Sequence, residues 1–141
     1  MLRITAEKGV KRVKEYISRR FGNIIHIYDP IYRENIWVLI SPRKEDYFAF
    51  HKKHFGVLPE DLNYDHVVGR YSVMELEKSG EYINIIWLKK FNIPSLCHEL
   101  LHCINHILRH KDTRMSEHTD EVFAYYLEFM VKEVLKYRKE L

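Results

Sequence analysis

The sequence predicts an α+β fold: an N-terminal helix, a small and mostly antiparallel sheet containing a hairpin, and two helices at the C-terminal end. Three observations predict it. Apolar residues recur at helical spacing near both ends of the chain. Four runs rich in β-branched and aromatic residues occupy the middle, separated by joints that contain Asp-Pro or Gly. An H-E-x-x-H string, His98-Glu99-Leu100-Leu101-His102, lies in a stretch that reads as helix.

At 141 residues the chain is one domain's worth, 1–141, and long enough to bury a single core. Ten Tyr and seven Phe supply that core with aromatic side chains and exclude a disordered or low-complexity chain. The net charge of +3 is small and its signs are interspersed, so neither nucleic acid nor membrane is expected as a partner. No apolar run approaches the length needed to cross a bilayer. Met1-Leu2-Arg3-Ile4-Thr5 leads at once into charged residues, so no signal peptide is expected and the location expected is cytoplasmic.

In chain order, residues 5–20 are expected to be helical: Val10, Val13, Ile17 and Phe21 form a stripe, with Thr5 as N-cap and Gly22 as stop. Two strands follow over 23–28 and 35–41, parted by Asp29-Pro30. A helix is expected over 43–55, ended by Gly56 and Pro59. The runs 66–76 and 81–88, joined by Glu77-Lys78-Ser79-Gly80, read as a β-hairpin. Pro94 stands in the first turn of the next helix, which runs to about His110. The last helix begins near 116–119 and runs to about Arg138.

The chemistry lies in the H-E-x-x-H helix. Histidines four apart are offset by only about 40° of rotation, so both imidazoles reach one metal ion. Glu99, between them, is placed to hold a water on that ion. A catalytic zinc takes three protein ligands and keeps a position for water. His106 continues the spacing, but three positions four apart climb about 12 Å along the axis, too far for one ion. The metzincin pattern is excluded, because Asn105 and Leu108 stand where Gly and His are required. The final helix offers Glu117, His118, Asp120 and Glu121. Glu121 is preferred as third ligand because Ala124, three residues on, would let the two helices approach closely; His118 follows. Cys97 and Cys103 flank the motif on one helix, too far apart to bridge, and read as reduced thiols.

His98-Glu99-x-x-His102, followed about twenty residues later by Glu121-Val122-Phe123-Ala124-Tyr125, resembles the gluzincin pattern of metallopeptidases. The resemblance implies that His98, His102 and the glutamate of the downstream helix bind Zn2+, and that Glu99 is the general base. The longer string, Pro94-Ser95-x-x-His98-Glu99-x-x-His102 with Asp120-Glu121-x-x-Ala124-Tyr125, resembles small zincin-like proteins encoded by bacteriophages. That match covers roughly residues 80–135 and implies a minimal zincin-like fold without the substrate-binding lobes of larger peptidases. The SprT-like proteases are also similar: their third histidine falls near His118, though Thr119 stands where they carry Gly.

The expected activity is hydrolysis of a peptide or amide bond in a peptide or protein substrate, in the host cytoplasm if the chain is phage-encoded. Tyr125, Tyr126, His66, Arg70 and Tyr71 are the side chains available to stabilise an oxyanion. The resemblance to zincin folds implies that the segment His66-Val67-Val68-Gly69-Arg70 is an edge strand that pairs with substrate, Gly69 admitting a second backbone. Two other readings stand beside this one. The first is a non-enzymatic protein acting by protein–protein contact around a structural zinc, such as a phage-encoded inhibitor. The second is a DNA-associated, SprT-like protease that uses the basic first helix.

Overall fold

The computed structural model describes residues 23–56, 58–59 and 66–137. The helix expected over 5–20 lies outside them. Among the described residues the fold is α+β, a four-stranded sheet with three helices. The strands are β1 (Asn23–Asp29), β2 (Glu34–Ile40), β3 (Gly69–Glu75) and β4 (Tyr82–Leu88). The helices are α1 (Lys44–Phe55), α2 (Ile93–Arg109) and α3 (Asp120–Leu135).

The sheet order is β1-β2-β4-β3. Each sequential pair, β1 with β2 and β3 with β4, is antiparallel. The two pairs meet through a parallel contact between β2 and β4. The composition suits this central place: Ile36 to Ile40 and Ile85 to Leu88 are unbroken apolar runs, buried on both faces. Alternation divides their side chains between two layers. Ile36, Val38, Ile40, Ile86 and Leu88 face α2 and α3, meeting Leu96, Leu100, Cys103, Ile104, Ile107, Phe123, Tyr126 and Met130. Trp37, Leu39, Ile85 and Trp87 face α1, meeting Tyr47 and Phe50.

The joints behave as their residues dictate. Asp29 is wholly buried; one oxygen accepts from the Ile31 N–H at 2.8 Å and the other from the Tyr32 N–H at 3.2 Å. The Tyr126 hydroxyl donates to that second oxygen at 2.6 Å, tying α3 to the β1–β2 turn. Gly56 takes a left-handed φ of 74° and closes α1 on the Lys52 carbonyl. Asn92 caps α2 by accepting from the Ser95 N–H at 2.9 Å, and Pro94 occupies the first turn. Among the described residues no helix is long and apolar enough to cross a membrane.

Candidate active site

α2 is amphipathic. Leu96, Leu100, Cys103, Ile104 and Ile107 face the sheet, and His98, His102, Asn105, His106 and Arg109 emerge beside them. It runs beneath β3, which stands at the sheet's edge as expected. Gly69 makes the close approach possible. A Cβ there would lie 3.1 Å from Leu88 Cδ2, 3.2 Å from Glu99 Cγ and 3.2 Å from the Trp87 carbonyl. The strand begins at this glycine and not at His66. The Lys89 N–H donates to the Val68 carbonyl at 2.9 Å, which sets the parity of the pairing. Residues 69, 71 and 73 therefore turn their backbone groups away from β4, off the sheet's edge.

Glu99 fills the space under that edge and is 8% exposed. The Tyr71 N–H, one of the outward-turned groups, favours the charged form of its carboxylate. Burial pushes the Glu99 carboxyl above the usual carboxylate range; His98, His102, the Tyr71 N–H and Arg70 oppose that rise. A carboxyl so raised beside two imidazoles suits a proton acceptor.

His98 and His102 are both exposed, with Nε2 atoms 3.2 Å apart and rings at 75° to each other. Two nitrogens bound to one tetrahedral zinc at the usual bond length stand about 3.3 Å apart. The pair therefore fits two positions of such an ion. A groove of about 510 Å³ opens over them, lined by Arg70, Tyr71, His98, Glu99, His102 and Arg109 among others. A second groove of about 450 Å³, lined by His66, Val68, Pro94 and Ser95, meets it at Val67, Gly69, His98 and Glu99.

Glu121, expected as the third ligand, is not brought to the pair. α3 packs inward through Phe123, Tyr126, Met130 and Val134. At about 100° per residue, Glu121 points away from that stripe. It is exposed and lines neither groove. Ala124, expected at the helix contact, is exposed as well. His118 is also exposed and stands 3.7 Å from Glu117. Among the described residues no group of three His, Cys, Asp or Glu could hold an ion.

The side chains considered for an oxyanion separate clearly. The Tyr126 hydroxyl is buried on Asp29, and the Tyr71 hydroxyl donates to Asn84 Oδ1 at 2.7 Å. Tyr125 is exposed away from the grooves, and His66 lines the second one. Arg70 lines the first. Arg109, not singled out from sequence, joins it there, seven residues along the same helix from His102. The signal for it was the helical spacing itself. Cys103 is wholly buried, and burial pushes its thiol well above the usual range; Cys97 is half-buried, and both are free thiols. No known protein family, curated protein or solved structure matches the chain.

Proposed function

We propose that the groove under β3 is the active site of a zinc-dependent peptidase, with His98 and His102 as ligands and Glu99 as general base. The observation that carries this reading is the buried Glu99 carboxyl beneath an edge strand, beside two outward imidazoles with Nε2 atoms 3.2 Å apart. Zinc held there would activate a water and polarise the scissile carbonyl. Glu99 takes a proton from the attacking water and returns it to the leaving amine. Gly69 offers its backbone groups to an extended substrate lying along the edge, across the junction of the two grooves. Arg70 and Arg109 line that course and suit a substrate carbonyl or carboxylate. Free thiols at Cys97 and Cys103 fit a reducing compartment such as the cytoplasm.

An open groove over exposed histidines favours catalysis over a closed structural zinc. For the SprT-like reading, His118 lines neither groove. The test is zinc content together with cleavage of an unfolded protein substrate, for wild type, Glu99→Gln and a His98→Ala/His102→Ala double variant. Wild type is expected to cleave, Glu99→Gln to keep the wild-type zinc content without cleaving, and the double variant to carry one zinc fewer per chain than wild type and not to cleave. Cleavage by Glu99→Gln at the wild-type rate, or a zinc content in the double variant equal to that of wild type, would overturn the assignment.

A further inference from the structure

The histidine spacing of α2 continues along the groove, whose lining reaches His106. His106 and His110 form a second pair at the helix's C-terminal end, with Nε2 atoms 3.1 Å apart and ring centroids at 4.3 Å. We propose that His106 and His110 form a second, separate site for a divalent transition-metal ion of the class that favours imidazole, such as Ni2+, Cu2+ or Zn2+.

Three observations support it. The Nε2 separation matches the spacing of about 3.3 Å that one tetrahedral ion at the usual bond length requires. Tyr82, the first residue of β4, touches both rings: it lies tilted against His110 at 4.5 Å and meets His106 edge-on at 5.3 Å. Rings in contact with a neighbouring strand lose little freedom when they take an ion. His106 Nδ1 is buried with no hydrogen-bond partner, so the nitrogen this ring offers outward is Nε2, the one facing His110. No second-sphere partner sits on that buried nitrogen.

The two sites are distinct. The midpoints of the pairs are eight residues apart along α2, about 12 Å of helix rise. Two-metal catalytic centres need ions about 3.5–4 Å apart. The residue that follows His106, in the place Glu99 holds after His98, is Ile107, and it is buried in the core. The second site thus lacks a base of its own. It is a binding site for an ion with solvent in the remaining positions, and it does not depend on the peptidase reading.

The experiment is calorimetric titration of the metal-free, full-length protein with NiCl2. The His98→Ala/His102→Ala variant is expected to bind one Ni2+ per chain. Adding His110→Gln to it is expected to abolish that binding. His110 is exposed at the helix cap, so far-UV circular dichroism should show the fold retained. Absence of Ni2+ binding in the double variant overturns the proposal, and so does binding that survives His110→Gln. Failure of hydrolysis in wild type leaves this readout untouched.

Discussion

The two histidine pairs of α2 have the same spacing and nearly the same Nε2 separation, 3.2 Å for 98/102 and 3.1 Å for 106/110, yet their surroundings differ. The first lies under an edge strand whose glycine admits a buried carboxylate. The second lies against the start of the neighbouring strand, whose tyrosine touches both rings, with an isoleucine where the carboxylate would be. Spacing along a helix is enough to bring two imidazole nitrogens together. A reactive site needs more: a base, a cleft and an exposed backbone edge supplied by other elements.

The largest expected effect separates the pairs by chemistry. Glu99→Gln should lower turnover by about 10²–10⁴-fold, the usual worth of a general base, with zinc content unchanged. Turnover within a few-fold of wild type would leave the first pair no more catalytic than the second.

Next is the strand that covers the first pair. Gly69→Val places a Cβ against Leu88, Glu99 and the Trp87 carbonyl, and that backbone oxygen cannot move aside. We expect a loss of about 1–3 kcal/mol in urea unfolding, the range for overpacking, together with impaired turnover. Unchanged stability would mean that the close approach of β3 to α2 is not tight.

The tyrosine beside the second pair gives a smaller effect. Tyr82→Leu keeps an apolar side chain at the start of β4 but removes the ring that orients His106 and His110. Ni2+ affinity at that pair should fall several-fold, while zinc on the first pair stays as it was. A drop at both pairs would couple sites that the structure keeps apart.

The smallest change tests where α3 faces. Glu121→Ala should alter zinc affinity by less than twofold, because the side chain points to solvent. A tenfold loss by competition with a chromogenic chelator would show that α3 turns Glu121 to the ion when metal binds.

Much of the architecture was legible from local pattern. The strands and helices from residue 23 onward fall within a few residues of their expected bounds, because each carries its own period and its own punctuation. Asn92, Pro94, Gly56 and Gly80 act at their joints through local geometry alone. His98 and His102 meet because both sit on one helix. Glu121 was a different kind of expectation, since its place depends on how a second helix rolls against the first. Phe123, Tyr126 and Met130 set that roll by seeking the core, and they turn Glu121 outward. The parallel contact of β2 with β4 was likewise unreadable from neighbouring residues, because it joins segments separated by α1 and β3.

The amino-acid order alone determined the elements, the α+β class and the pairing of histidines four apart, since these depend on backbone periods and contacts within a few residues. The tertiary structure decided that Glu99 is buried beneath β3 with its carboxyl pushed up, and that Tyr82 touches both rings of the second pair. It also decided that Glu121 faces away. Burial and helix roll are set by the whole core at once, and no short stretch of sequence contains that sum.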